Sequence, residues 1–175
     1  TNLKEGMEKQ FAAFLCDILE HFRTAPEKER LVFNYLSPIN EPAIEWETRN
    51  NQEGNRPSNA DVKRVLIALH AEIAARKLDV KITAPEANSV RDIFSANGGA
   101  TRRWGALYGD YLRDFCEDPA VLPCLDGVLC YHDYSSYRGP NVEKDHRDLG
   151  AVRDALLPDD AEFIGEALHV CVVTL

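Results

Sequence analysis

The sequence predicts an α/β fold in which a parallel β-sheet is covered by helices. Segments with helical periodicity alternate with short segments rich in β-branched and aromatic residues, in the order α-β-α-β-α-β-α-β. The loops after the strands are long, whereas the connections from helix to strand are shorter. A chain of 175 residues has the length of a single domain, residues 1–175. Four βα steps make half of an eight-stranded barrel, and a half barrel has two open sheet edges that offer a route to self-association.

The first two predicted helices are defined by apolar stripes and by their ends. Residues 4–23 carry the first stripe, and Pro26 ends that helix. Ser58 begins the second helix, and Asp61 can complete a capping box with it. The stripes consist of Met7, Phe11, Phe14, Leu15, Ile18, Leu19 and Phe22 in the first helix, and of Val62, Val65, Leu66, Leu69 and Ile73 in the second.

The second half of the chain continues the alternation. We expect a loop over residues 87–100, a single helix over 101–116, a polar loop over 135–145 and a short helix over 146–157. The predicted strands are short and rich in β-formers. They lie in the segments RLVFNYLSPI, LDVKITAPE, DGVLCYHDY and AEFIGEALHVCVVTL, the last of which holds one or two strands.

Composition and charge exclude some classes of partner. The net charge is -9, and the sequence has no concentrated block of Lys and Arg, so a nucleic-acid ligand is not expected. A neutral or weakly charged substrate fits this charge better. The longest apolar runs fall short of the roughly 18 residues that a membrane span needs. The first residues, TNLKEGMEKQ, contain neither an initiator Met nor a signal-peptide core, so the N-terminus does not indicate a compartment, and a processed or excised piece remains open.

The cysteines do not form a recognisable metal site. Their number is odd, the sequence has no C-x-x-C pair, and the spacing fits no standard zinc pattern. Two interpretations remain open: buried structural thiols, or one disulfide among Cys116, Cys124 and Cys130. The two other cysteines are Cys16 and Cys171.

An Asn-Glu-Pro triplet, residues 40–42, follows the first predicted strand, with Trp46 shortly after it. The ends of parallel strands are where α/β barrels carry functional side chains. The Glu41 carboxylic acid can protonate a leaving-group oxygen there, and Asn40 can hydrogen-bond a sugar hydroxyl. Trp46 offers a flat apolar face to a sugar ring. In the alternative interpretation, Glu41 anchors a loop and Trp46 lies in the core.

Four segments together resemble the catalytic domain of glycoside hydrolase family 30, in the branch that contains endo-β-1,6-galactanases. They are LSPINEPAIEWE, NQEGNRPSNADV, KITAPEANS and CYHDYSSY, in this order and spacing, over residues 31–137. The triplet alone is shared by many retaining (β/α)8 glycosidases. The positions that match the family pattern are Ser37, Pro38, Asn40, Glu41, Pro42, Trp46, Gln52, Glu53 and Gly54.

The resemblance implies a (β/α)8 barrel of which the fourth to seventh βα units, about half, are present in this chain. It implies that Glu41 is the general acid/base at the end of the fourth strand. His132 and Tyr134 would face the sugar at the end of the sixth strand. Glu86, at the end of the fifth, either lines the cleft or anchors a loop.

The second carboxylate of a retaining pair is less well matched. The family carries it on the seventh strand in a Trp-x-Ser-Glu-like stretch, and here AEFIGEA makes Glu166 the nucleophile, although the Trp and Ser are missing. In another register, His169 stands where that Glu belongs. A structural Glu166 on a helix or strand is the remaining alternative.

The resemblance therefore implies a retaining glycoside hydrolase that cleaves β-linked glycans, with β-1,6-galactan as first choice, and that needs no metal or organic cofactor. Its partner would be a polysaccharide or oligosaccharide, and secretion is expected from the resemblance alone. The first three strands and the eighth are missing, which is consistent with a fragment, a truncated product or two copies that complete one barrel. The alternatives are a β-glucoside or β-xyloside specificity and a non-catalytic glycan-binding fragment.

Overall fold

The computed structural model describes residues 3–44, 54–125, 128–131 and 141–156. Six α-helices, one 3-10 helix and three strands lie within these ranges. In chain order they are α1 (Glu8–Thr24), β1 (Tyr35–Leu36), α2 (Asn59–Arg76), β2 (Lys81–Ala87), α3 (Val90–Phe94), α4 (Gly99–Trp104), α5 (Tyr111–Cys116), the 3-10 helix Leu122–Cys124, β3 (Val128–Tyr131) and α6 (Val142–Leu156).

The three strands form a parallel sheet in the order β1-β2-β3, which confirms the predicted α/β class. Leu36 is in register with Ile82, and Ala84 with Leu129. The pairing of β2 with β3 becomes irregular between Pro85 and Ala87, where β2 ends. All three strands therefore run in one direction, and the loops that follow them leave the sheet at the same end, the carboxyl end of the strands.

Helix α2 has the start and the buried stripe that the sequence predicts. The Ser58 hydroxyl accepts a hydrogen bond from the Asp61 backbone N–H, and the Asp61 carboxylate accepts one from the Ser58 N–H. This reciprocal pair satisfies two backbone donors that a helix start otherwise leaves open. The whole predicted stripe is buried: Val62, Val65, Leu66, Leu69 and Ile73.

The hydrophobic core lies between the helices and the sheet. Helix α1 packs against α2, and Ala12 and Cys16 on its buried side belong to the core. The core continues past Ile82 of β2 into α3 and α5. Its largest fully buried side chains include Tyr111, Phe115, Leu66, Leu69, Ile82, Ile93 and Leu112.

Residues 87–116 differ most from the sequence prediction. The predicted loop contains α3, and the single helix expected over 101–116 is divided into α4 and α5. The division falls where Gly105 and Gly109 have φ of 92° and 81°, a backbone conformation that glycine adopts without strain. The Asn59 side-chain amide donates to the Gly109 carbonyl at 2.8 Å, so the break is fixed against the start of α2.

Two further expectations were less accurate, and one of the two interpretations of the cysteines is excluded for the described ones. The strand expected over residues 30–39 is confined to Tyr35–Leu36, and α6 begins at Val142, inside the predicted polar loop. The four cysteines that the structure describes are all free, so none of the disulfides considered among them is formed. The segment after Leu156, with the fourth predicted strand and Cys171, lies outside the described residues.

Leu66→Ala should destabilise the fold strongly, whereas Ile67→Ala should not. Leu66 is fully buried and its neighbour Ile67 is 39% exposed on the same helix. A buried Leu→Ala change costs about 2–5 kcal/mol through lost burial and the cavity it leaves. Urea unfolding of the two variants would measure the difference, and equal midpoints would contradict the assigned orientation of α2.

Candidate functional site

The candidate site lies at the carboxyl end of the parallel strands. Glu41 lies in the loop that follows β1, and Glu86 and Asn88 lie at the end of β2. The loops at this end of the sheet follow neighbouring parallel strands, so side chains distant in the sequence meet there.

The backbone of Glu41 is held in an unusual conformation by β2. Its N–H donates to the Glu86 carbonyl at 3.0 Å, and its own carbonyl accepts from the Ile44 N–H at 3.1 Å. Glu41 and Glu86 have φ of 44° and 55°, in the left-handed region that few non-glycine residues adopt. Such conformations persist where the surroundings fix them, and they cluster at functional sites.

The Glu41 side chain is buried and hydrogen-bonded. The residue is 6% exposed, and its Oε1 accepts a hydrogen bond from Asn88 Nδ2 at 3.2 Å. A buried carboxyl group is costly without hydrogen-bond partners, so the Asn88 amide helps to make this position tolerable. Asn88 also restricts the orientation of the carboxyl group.

Trp104, the last residue of α4, ties that helix to the loop after β1. Its indole N–H donates to the Ala43 carbonyl at 3.0 Å, two residues beyond Glu41. The guanidinium carbon of Arg56 lies 3.7 Å from the centre of the indole ring, which is a cation–π arrangement. Segments before and after the undescribed residues 45–53 therefore both contact Trp104.

A buried carboxylate organises the start of α4, the helix that carries Trp104. Asp92 accepts hydrogen bonds from the Ser89 hydroxyl at 3.1 Å and from the Ala100 backbone N–H at 2.8 Å. Gly98 passes so close that an added Cβ would lie 2.7 Å from an Asp92 oxygen. Asp92 therefore fixes the start of α4, and through it the position of the indole.

A cavity of about 740 Å³ lies beside the loop that follows β1, and Asn40 lines it. Its walls come from the segment before α1, from the end of β1 and from the start of α2. The lining combines apolar side chains with amide, carboxylate and guanidinium groups. They include Leu3, Glu8, Phe11, Asn55, Asp61 and Arg64.

The Cys130 thiol, near the carboxyl end of β3, is not suited to act as a nucleophile. Burial raises the pKa of Cys130 to about 11, although hydrogen bonding to Thr83 and Ser37 opposes the rise. The thiol therefore stays protonated near neutral pH, and a cysteine nucleophile needs the thiolate.

The structure brings some of the sequence-predicted residues together and leaves others untested. Glu41 and Glu86 are joined by a backbone hydrogen bond, while Asn40 is exposed and lines the cavity. The four other candidates lie outside the described residues: Trp46, His132, Tyr134 and Glu166. The separation of the Glu41 and Glu166 carboxyl groups therefore remains a prediction.

Sequence reasoning missed Asn88 and Trp104. Asn88 stands two residues after Glu86, and this strand-end position was a signal that could have found it. Trp104 fell inside a predicted continuous helix, and nothing in its spacing indicated a contact with Ala43, 61 residues away.

Within the part of the chain that the structure describes, no group of three or more His, Cys, Asp or Glu side chains could hold a metal ion. No described helix is both long and apolar enough to cross a membrane.

The sequence profile of O-glycosyl hydrolase family 30 matches residues 1–159. The chain belongs to this family. It also matches the crystal structure of a conserved exported protein from Bacteroides fragilis, with a TM-score of 0.68 and 28% sequence identity. That match covers 86% of this chain and 31% of the other, so this family 30 chain spans about a third of its structural neighbour. No curated protein matches it significantly.

Trp104→Phe should loosen the loop that carries Glu41 without unfolding the domain. Phe keeps most of the aromatic packing but cannot donate to the Ala43 carbonyl, a loss of about 1 kcal/mol. Amide hydrogen exchange at Ile44, whose N–H donates to Glu41, should accelerate about fivefold. Leu107→Ala, at a 70% exposed position in the same region, is the control. Unchanged protection in Trp104→Phe would show that the indole does not hold this loop.

Proposed function

We propose that this chain carries part of the active site of a retaining glycoside hydrolase that cleaves β-linked glycans. The observation that carries the proposal is Glu41. Glu41 is buried in the loop that follows a parallel strand, in a family 30 chain; its backbone N–H donates to the Glu86 carbonyl, and its carboxyl group accepts a hydrogen bond from the Asn88 amide. A general acid must be held in a defined orientation relative to the leaving group, and these contacts provide one.

In the proposed mechanism, Glu41 acts first as acid and then as base. Glu41 protonates the glycosidic oxygen while the bond from that oxygen to the anomeric carbon breaks. The Glu166 carboxylate attacks the anomeric carbon and forms a covalent glycosyl ester. Glu41 then removes a proton from water, whose oxygen displaces Glu166 from the anomeric carbon. A retaining pair requires carboxyl groups about 5–5.5 Å apart.

The substrate-binding groups proposed beside this pair are Asn40, Trp46, Glu86, His132 and Tyr134. Asn40 has access to solvent through the cavity, which supports a role in binding hydroxyl groups. β-1,6-Galactan is the first-choice substrate, by the resemblance of the motif-bearing segments to the galactanase branch. A β-glucoside or β-xyloside specificity is the alternative within the family.

The proposed architecture is a (β/α)8 barrel of which this chain supplies about half. The parallel order β1-β2-β3, with α2 between the first two strands, supports it. The match to the structural neighbour also supports it, because it covers 86% of this chain but 31% of the neighbour. Export is proposed for this protein, because the neighbour from Bacteroides fragilis is described as an exported protein.

The second candidate function is glycan binding without hydrolysis. It is favoured by the sequence around Glu166, which lacks the Trp and Ser of the family pattern. Such a module would keep Glu41 and the groups around it but would lack a working nucleophile.

Glu41→Gln and Glu166→Gln should each reduce hydrolysis about 10²–10⁴-fold, because an amide can neither protonate the leaving group nor attack the anomeric carbon efficiently. The assay uses aryl β-galactoside, β-glucoside, β-xyloside and β-fucoside substrates, with glycan binding measured separately by calorimetry. Glu117→Gln, at a side chain that is 62% exposed, is the matched control and should leave both readouts unchanged.

The two functions give different results in that experiment. The hydrolase is supported if the unsubstituted chain hydrolyses a substrate, and if each site variant loses hydrolysis but still binds glycan. Binding without any hydrolysis by the parent chain supports the binding module. Hydrolysis that survives Glu41→Gln would remove Glu41 from the mechanism.

Asn88→Ala should lower kcat about tenfold or more and change KM little, because the amide orients the acid rather than the substrate. A hydrogen bond contributes about 0.5–1.5 kcal/mol net, and about 1.4 kcal/mol in an activation free energy is a tenfold change in rate, which sets this scale. Asn97→Ala, at an exposed asparagine in the same loop region, is the control. A loss confined to KM would mean that Asn88 binds substrate instead.

A further inference from the structure

An Asn-Gly pair, residues 97 and 98, lies in the turn between α3 and α4. Asn97 is exposed, whereas Gly98 is buried. An asparagine side chain that reaches the next backbone nitrogen can cyclise onto it, and glycine hinders that attack least because it has no Cβ. Asparagine is accordingly among the thermolabile residue types. Because Asn97 is exposed, its amide has room to rotate toward the Gly98 nitrogen, and the pair is open to covalent change.

Glycine cannot be replaced at position 98 without disturbing this turn. An added Cβ would lie 2.7 Å from Asp92 Oδ1 and 2.9 Å from the Arg91 carbonyl oxygen. Both separations are shorter than a Cβ tolerates, and the second involves backbone, which has little freedom to move. A larger residue that would hinder cyclisation of Asn97 therefore does not fit after it. The packing around Asp92 maintains the reactive pair.

The reaction needs only water. The Gly98 nitrogen attacks Asn97 Cγ, so a bond between these atoms forms while the bond from Cγ to Nδ2 breaks. Nδ2 leaves as ammonia with the proton from the Gly98 nitrogen, and a cyclic imide remains. Water then opens the imide at Cγ, which gives aspartate, or at the main-chain carbonyl carbon, which gives isoaspartate. In isoaspartate the main chain runs through the former side chain and is one carbon longer.

The turn controls how fast this reaction starts. The Gly98 N–H donates to the Ser95 carbonyl at 2.9 Å, so the nitrogen must first leave this hydrogen bond through local opening. It must also lose its proton, since a neutral amide nitrogen is a poor nucleophile. Cyclisation should therefore accelerate as the pH rises.

We propose that Asn97 is a site of spontaneous deamidation, and that isoaspartate at this position loosens the loop that carries Glu41. The added carbon enters the chain between residues 97 and 98, where Gly98 is packed so tightly against Asp92 that no Cβ fits. The hydrogen bond from the Gly98 N–H to the Ser95 carbonyl cannot keep its geometry in the longer chain. Aspartate, by contrast, leaves the backbone unchanged and places its carboxylate at an exposed position.

The change reaches the loop through α4. The Gly98 carbonyl accepts a hydrogen bond from the Arg102 N–H at 3.1 Å in the first turn of this helix. The Trp104 indole, at the end of the same helix, donates to the Ala43 carbonyl at 3.0 Å. A longer chain before Gly98 displaces the first of these hydrogen bonds, and the short helix that carries the indole shifts with it. The contact that holds the loop with Glu41 is then weakened.

The test does not depend on hydrolysis by Glu41. The full 175-residue chain is incubated at neutral and at mildly alkaline pH, and peptide mapping by mass spectrometry follows conversion of asparagine to aspartate and isoaspartate. Asn141 is the internal control, because it is also exposed but precedes Val142, and a β-branched residue hinders attack on its own nitrogen. Amide hydrogen exchange at Ile44, whose N–H donates to the Glu41 carbonyl, reports on the loop.

The proposal is supported if conversion at Asn97 exceeds conversion at Asn141, rises with pH and accelerates exchange at Ile44 in the isoaspartate form. The expected acceleration is about fivefold, the effect of losing one hydrogen bond. Asn97→Ala should abolish both changes and keep the exchange rate of the fresh parent chain. Fresh Asn97→Asp, which has the carboxylate on an ordinary backbone, should also keep that rate.

Three results would overturn the proposal. Conversion at Asn97 no faster than at Asn141 would mean that the turn protects the pair. Conversion to isoaspartate with unchanged exchange at Ile44 would mean that the modification does not reach the loop. Equal acceleration in fresh Asn97→Asp would mean that the charge, rather than the longer backbone, disturbs it.

Discussion

Parallel pairing of β1 with β2 is the constraint on which the candidate site depends. Because both strands run in the same direction, the loop with Glu41 and the strand end with Glu86 leave the sheet together. The hydrogen bond from the Glu41 N–H to the Glu86 carbonyl is then possible, and it joins the two segments beyond the last regular pair. Antiparallel pairing would place these residues at opposite ends of the sheet.

This constraint is reinforced from outside the sheet. Asp92 fixes the start of α4, α4 carries Trp104, and Trp104 donates a hydrogen bond to Ala43 in the loop that contains Glu41. The chain of contacts means that the geometry of one carboxyl group depends on packing in two other segments. A functional group that must keep its orientation is better held by several such contacts than by its own loop.

The terminal position of β1 in the described sheet and the exposed apolar side chains of α1 occur side by side in the architecture. A parallel sheet needs helices on its faces and neighbours on its edges, and β1 has a neighbour on one edge in the described structure. The apolar stripe of α1 has the composition of a buried surface, while part of it is exposed. Site and cavity are therefore adjacent parts of one fold, because Asn40, which precedes Glu41 in the sequence, lines the cavity.

By itself the sequence determined the helix periodicity, the capping box of Ser58 and Asp61, the parallel class of the sheet and the family to which the chain belongs. These follow from local patterns, since periodicity and caps involve residues a few positions apart. The tertiary structure decided that α4 and α5 are separate, that β1 is short, and that Asn88 and Trp104 hold the Glu41 loop. The break between α4 and α5 and the contacts of Asn88 and Trp104 involve residues 47 to 61 positions apart, which no local pattern encodes.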